Sequence, residues 1–318
     1  MSFSFGRNKK GRIPMKKILL FSLCLLLLLP VLPAAAEDEG ISFVDMKGRE
    51  IHLDKPATRI VALTAADCEI ICAIGAGDLL VGRGEYCNYP ESVLDLPVVN
   101  SGAETNLEQI IALEPDVVVM NTMNQTVEQV QTLENSGIVV VVSVAEDIDG
   151  VKYAINMLGI LCGKEAEASE LVLDMEAIFA EISKKSSDSG KTVYFEISPL
   201  EYGLWTAGKG TFMDEIASIC GLTNIFSDVD GWAEVSQEQV LMRNPDVIVT
   251  VTADYGAAVT PAQEIMNRPG WENISAIQNQ LVFGADNDQM TRPGPRLMDA
   301  AKSLFLFLNP EEALDPAA

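Results

Sequence analysis

Between Asp147 and Ser186 apolar positions recur at helical spacing, first Val151, Ile155, Leu158 and Leu161, then Ala168, Leu171, Met175, Ile178 and Ile182, with charged residues between them. The spacing predicts two helices divided by Gly163, the second covering 165–186. At 1.5 Å per residue that rod is roughly 33 Å long, about the diameter of a small domain. On either side the pattern changes to short apolar runs alternating with amphipathic stretches. Runs at 60–63, 98–99, 116–120 and 138–144 read as buried parallel strands, with helices at 67–76, 107–113 and 126–135 between them. Beyond the long helices the alternation resumes, with strands at 192–197, 246–252 and 281–283 and helices at 211–220 and 296–308. The predicted fold class is therefore α/β: two Rossmann-like lobes, 41–146 and 189–309, joined by a rigid helical linker at 147–188 and followed by an acidic tail at 310–318.

The first 36 residues read as a signal peptide. Met15 reads as the true start, Lys16 and Lys17 form the basic region, an apolar stretch runs from Ile18 to Leu32, and Ala34-Ala35-Ala36 supplies the cleavage site. The apolar stretch is short and broken by Pro30 and Pro33, which argues against a membrane anchor. Cys24 stands among leucines rather than after the small residues that precede a lipidated cysteine, so it is read as removed with the leader. The protein is expected to be exported, to the periplasm or the outer face of the cytoplasmic membrane. Loss of the leader takes the 22 Lys and Arg to 16 against 46 Asp and Glu, a net charge of −30, and nucleic acid is an improbable partner for such a chain. Cys68, Cys72, Cys87, Cys162 and Cys220 remain, an odd number among apolar neighbours, which indicates no disulfide framework. Cys68 and Cys72 share a helix face, but no second ligand pair follows and no metal site is assigned.

Two segments match at a constant offset of 130 residues. The run from Asn106 to Val119, Asn-Leu-Glu-Gln-Ile-Ile-Ala-Leu-Glu-Pro-Asp-Val-Val-Val, pairs with Ser-Gln-Glu-Gln-Val-Leu-Met-Arg-Asn-Pro-Asp-Val-Ile-Val from Ser236 to Val249. Each copy caps a short helix with Asn106 or Ser236, ends it before a proline and launches a buried strand. Both lobes thus follow one plan. Glu108 and Glu238 occupy equivalent sites. Each glutamate could serve only its helix dipole, or the two could present paired carboxylates to a two-fold partner.

The segments Arg59-Ile-Val-Ala-Leu-Thr, Glu85-Tyr-Cys-Asn-Tyr-Pro90, the two glutamate-bearing repeats and Arg292-Pro-Gly-Pro-Arg-Leu297 resemble the substrate-binding proteins of ABC importers for cobalamin, haem and ferric siderophores, the class III group. The resemblance extends over about 41–309. It implies lobes joined by a rigid helix, no enzymatic activity, no resident cofactor, and a monomer that docks onto arginines of a permease dimer through Glu108 and Glu238.

If the lobes face each other, the ligand lies between loops at the carboxyl ends of the strands. Candidates are Tyr86 and Tyr89 from the first lobe, and Trp205, Trp232, Tyr255 and Arg292 from the second, the two tryptophans being placed in loops near strand ends. Aromatic rings offer rigid contact area suited to a flat macrocycle. The single histidine, His52, lies in an amino-terminal stretch far from these loops, so haem would need a tyrosine ligand such as Tyr86. Anionic ferric catecholates would need several cations, and Arg83, Arg292 and Arg296 are the plausible ones. The preferred ligand is a corrinoid, with a ferric siderophore second and a chelatase-like enzyme a remote alternative. Gly203 to Thr211 nearly spells a phosphate-binding loop, but glycine follows the lysine where a hydroxyl should hold Mg²⁺. It is read as a ligand-facing turn into a capped helix.

Overall fold

The computed structural model describes residues 1–2, 40–101, 104–122, 126–186, 190–252 and 258–314. The assigned leader from residue 3 onward, Tyr255 and the last tail residues lie outside these. An antiparallel hairpin, β1 (Ile41–Val44) with β2 (Glu50–Leu53), leads into β3 (Ile60–Ala62), α1 (Ala65–Ala73), β4 (Leu80–Gly84), β5 (Val98–Val99), α2 (Leu107–Ala112), β6 (Val117–Met120), α3 (Val127–Asn135) and β7 (Val139–Val142). Strands β3 to β7 form a parallel sheet in the order β5-β4-β3-β6-β7. Strand β6 shows why the apolar runs are continuous. Val117 and Val119 enter one core, Val118 and Met120 another, so both faces are covered and no polar position survives.

Asp147 caps α4 (Ile148–Cys162) by accepting the Gly150 amide at 2.7 Å, and Gly163, at φ 65°, ends it in the left-handed region. The next helix, α5 (Glu165–Lys185), has 21 residues. At 1.5 Å per residue it is about 31 Å long. After it come β8 (Thr192–Glu196), β9 (Leu204–Ala207), α6 (Phe212–Ile219), β10 (Thr223–Asn224), β11 (Trp232–Val235), α7 (Gln237–Arg243), β12 (Val247–Thr250), α8 (Pro261–Met266), α9 (Ser275–Gln278), β13 (Val282–Gly284), α10 (Asn287–Thr291) and α11 (Leu297–Leu308). A second parallel sheet runs β10-β8-β12-β13, and β9 and β11 make a separate antiparallel ribbon. One core joins α1, α4, α5, α6 and α11 to a face of each sheet, so the linking helices are packed along their length and resist bending. Among the described residues no helix is long and apolar enough to cross a membrane.

The repeat is visible in three dimensions. Asn106 and Ser236 each accept the amide three residues on, at 3.0 and 3.2 Å. Glu114 and Asn244, 130 residues apart, are both left-handed before their prolines, at φ 49° and 43°. Asp116 accepts the Thr58 amide at 2.8 Å and Asp246 the Thr192 amide at 2.9 Å, each clasping the start of a neighbouring strand. The matching Pro-Asp pairs are therefore structural. Some boundaries differ from the pattern. Helix α1 starts two residues before the expected position because Thr64 caps it, and it stops at Ala73 because Ile74 and the left-handed Gly75 turn the chain.

Candidate functional site

Strand order reverses between β3 and β6 in the first sheet and between β8 and β12 in the second, and open parallel sheets bind ligands outside the carboxyl ends of strands at such points. The loop 85–90 leaves β4 at one of these ends. Gly84 is required at its start, since a Cβ there would stand 2.3 Å from the Leu63 carbonyl oxygen. Arg83 is buried and turns its guanidinium back under the loop, donating from Nη1 to the Cys87 carbonyl at 2.8 Å. Cys87 is thereby drawn inward, while Tyr86 and Tyr89 remain 72% and 49% exposed.

Trp205 and Trp232 lie on strands, which corrects their expected placement in loops. The glycines of the near-phosphate-loop motif concealed a four-residue strand, Leu204–Ala207, and the turn is confined to Gly208, Lys209 and Gly210. A Cβ on Gly208 would fall 2.2 Å from the Val229 carbonyl oxygen, so this glycine is there for close approach of two chains, not for phosphate. In the ribbon Trp205 stands opposite Glu234 and Trp232 opposite Ala207. Opposed residues and residues two apart share a face, so both indoles and the Glu234 carboxylate project from the same side. The other side buries Leu204, Thr206 and Val235. Trp232 meets Phe212 edge-on, with ring centroids 5.4 Å apart, and the Phe212 amide donates to the Glu146 carbonyl of the first lobe at 2.9 Å.

Arg292 reaches the first lobe, although not as a free cation. Its Nη1 donates to Glu69 Oε1 and to Asn88 Oδ1, both at 2.7 Å, and its Nη2 pairs with Asp288 Oδ1 at 2.7 Å. Arg296 donates to both Glu69 oxygens, at 2.8 and 2.6 Å, and lies 4.3 Å over the Tyr89 ring. The three arginines considered for anionic ligands are all engaged inside the protein. Glu69 escaped the reading of the sequence, yet a carboxylate flanked by Cys68, Ile70 and Ile71 on a buried helix face demands a charged partner, and that was the available signal. His52 stays in β2, accepting from or donating to Ser42 Oγ at 2.8 Å.

Asp67 is buried at the start of α1, hydrogen-bonded to the Thr64 hydroxyl, and burial pushes its carboxyl up from 3.8 to about 6 despite hydrogen bonds from Ser143 and Thr64. The unfolded chain ionises near 3.8 and the folded one near 6. Stability from this group is therefore complete below about 4, declines between 4 and 6 and is level above, a loss of roughly 3 kcal/mol for two pH units. Asp67→Asn, which cannot ionise, is expected to remove that decline. Denaturant midpoints measured from pH 4 to 7 check it, and parallel curves for variant and wild type would refute it.

A sequence profile described as periplasmic binding protein matches residues 60–289. The chain belongs to that family. This periplasmic binding protein is 31% identical over 278 residues to the uncharacterized ABC transporter substrate-binding lipoprotein YvrC of Bacillus subtilis (strain 168), covering 85% of this chain and 86% of that one. It is 29% identical over 255 residues to a vitamin B12-binding protein of Vibrio cholerae, covering 80% and 90%. The crystal structure of a possible iron-binding, periplasmic solute-binding protein from Staphylococcus epidermidis superposes with a TM-score of 0.68 at 27% identity, over 80% of this chain and all of that one. Periplasmic binding proteins work outside the cytoplasmic membrane and deliver solutes to ABC permeases. The protein is accordingly a carrier and not an enzyme.

Proposed function

We propose that the protein captures a metal chelate of low net charge between its lobes, foremost a corrinoid such as cobalamin, and delivers it to an ABC permease that reads Glu108 and Glu238. The observation that carries the ligand class is the combination of exposed aromatic surface with arginines that are turned into the protein, two of them onto carboxylates. Tyr86, Tyr89, Trp205 and Trp232 offer rings to solvent at the borders of the two lobes, whereas Arg83, Arg292 and Arg296 are taken up by carbonyls and carboxylates. A triply anionic chelate gains little from paired cations, while a neutral macrocycle gains from rings. Glu234 beside the indoles adds an acceptor for amide N–H groups on the ligand rim. A relative named for vitamin B12 accords with this reading. The exposed phenol of Tyr86 favours a second reading, a ferric siderophore or haem, because a phenolate binds ferric iron.

The test is titration of the protein's tryptophan fluorescence with cyanocobalamin, a ferric hydroxamate, a ferric catecholate and haem. Trp271 is 1% exposed and packed in the second lobe, so a ligand-dependent change reports Trp205 and Trp232. Saturation by cyanocobalamin alone is the expected result, and saturation by an iron chelate alone would replace the ligand. Trp205→Ala and Trp232→Ala are each expected to weaken binding by about 1–3 kcal/mol. Unchanged affinity in both would dismiss the aromatic platform.

A further inference from the structure

Glu69 is the least exposed charged side chain of the inter-lobe contact, at 2%, against 13% for Arg292, 14% for Arg296 and 31% for Asp288. Its two oxygens accept three charge-assisted hydrogen bonds from arginines 223 and 227 residues away, which is contact between a helix of one lobe and the segment before the last helix of the other. Neither arginine stops at Glu69. Arg292 continues to the Asn88 side chain, whose Nδ2 returns to Asp288 Oδ2 at 3.1 Å, and Arg296 lies over the ring of Tyr89. Both branches therefore end on the loop 85–90, which Arg83 grips from beneath.

We infer that Glu69 is a positioning residue of the ligand site: from its buried place on α1 it holds Arg292 and Arg296 as a charge-neutral strut that sets the aromatic loop 85–90 against the second lobe. The inference rests on the reading of that loop as part of the ligand site. Two carboxylates, Glu69 and Asp288, balance two guanidinium groups, so the strut fixes geometry without leaving a net positive charge for an anionic ligand. Distance explains the choice of arginine. A planar fork spans two acceptors at once and still presents its face to an aromatic ring, which an ammonium group cannot do. Removal of the Glu69 charge leaves both arginines short of an acceptor, with two consequences that differ in kind. The loop loosens, and the site acquires an uncompensated positive charge.

The first is read without any ligand. Amide hydrogen exchange at Cys87, whose N–H donates to the Gly84 carbonyl at 3.1 Å, reports the loop. Exchange there is expected to rise about tenfold in Glu69→Gln and in Asn88→Ala, the latter touching only the exposed end of the strut and leaving the core intact. Circular dichroism and a cooperative melt confirm that each variant is folded, and if Glu69→Gln does not fold, Asn88→Ala decides. Unchanged exchange in the folded variants overturns the inference. The second consequence is one that mere structural support would not produce. Glu69→Gln is expected to shift the affinity ratio of a ferric tricatecholate over cyanocobalamin by about tenfold toward the anion, whereas Asn88→Ala, with all charges kept, should not. An equal loss for both ligands in Glu69→Gln counts against the strut. If wild type binds none of the chelates, the ligand reading fails, and the exchange measurement still judges the strut.

Discussion

Reversing both charges proposed to meet the permease, Glu108→Arg with Glu238→Arg, is expected to abolish uptake of the ligand while its affinity for the isolated protein stays within about twofold. The two glutamates are exposed, each at the second position of its helix, and sit at matched points of a repeat that extends through caps, left-handed residues and strand clasps. The Glu238 carboxyl is held below the usual range by its own backbone amide and the Ser236 hydroxyl, which favours its charged form. Replacing attraction by repulsion at two points of an interface is worth several kcal/mol, enough to reduce productive docking more than a hundredfold. The measurement is uptake by cells whose own copy is replaced by the variant, beside fluorescence titration of the purified protein. A large loss of affinity would show that the glutamates belong to the ligand site instead. Single reversals should fall between, because in the proposed docking each lobe contributes one contact.

A second large effect is expected at Arg268, which is 3% exposed and forks onto Glu196 with two contacts of 2.8 Å while stacking 4.3 Å from the Trp271 ring. Burial pushes the Glu196 carboxyl up even with this partner, so without it the carboxylate would be stranded at the carboxyl end of β8. Arg268→Ala should destabilise the fold by about 3–5 kcal/mol, and roughly 10 °C in Tm for a chain of this size. The deficit has a pH signature. Glutamate ionises near 4.5 when unfolded, and the folded carboxyl protonates above that value, so the loss is smallest below about 4.5 and grows as pH rises. Pairing the change with Glu196→Gln should recover most of it, because no buried charge then lacks a partner. A double variant as unstable as Arg268→Ala would mean that stacking on Trp271, and not the ion pair, supports this corner of the lobe.

The arginines illustrate how composition and structure can point to different ligands. Counted in the sequence, Arg83, Arg292 and Arg296 offer three cations for an anionic siderophore. In the fold Arg83 turns its Nη1 to the Cys87 carbonyl of the loop it supports, Arg292 and Arg296 are both held by Glu69, and Asp288 pairs with Arg292. A guanidinium so engaged presents its edges to the protein and adds little to recognition of a further anion. The exposed rings of Tyr86 and Tyr89 in one lobe and of Trp205 and Trp232 in the other are what the proposed ligand site rests on.

What the sequence determined by itself is whatever depends on neighbours along the chain. Helical periodicity marked α4 and α5, Gly163 marked the break between them, and continuous apolar runs marked strands buried on both faces. The offset of 130 residues marked the two-lobed plan, since capping and turning are local chemistry that repeats wherever the local sequence repeats. Tertiary structure alone decided what depends on residues far apart. The strand at Trp205 exists because β11 pairs with it, and only that register puts both indoles on one face with Glu234. The fate of Arg292 and Arg296 was set by a carboxylate more than two hundred residues earlier, whose spacing carries no periodic signal. Short-range patterns are written in the order of residues; partnership between charges is written only in where the chain finally brings them.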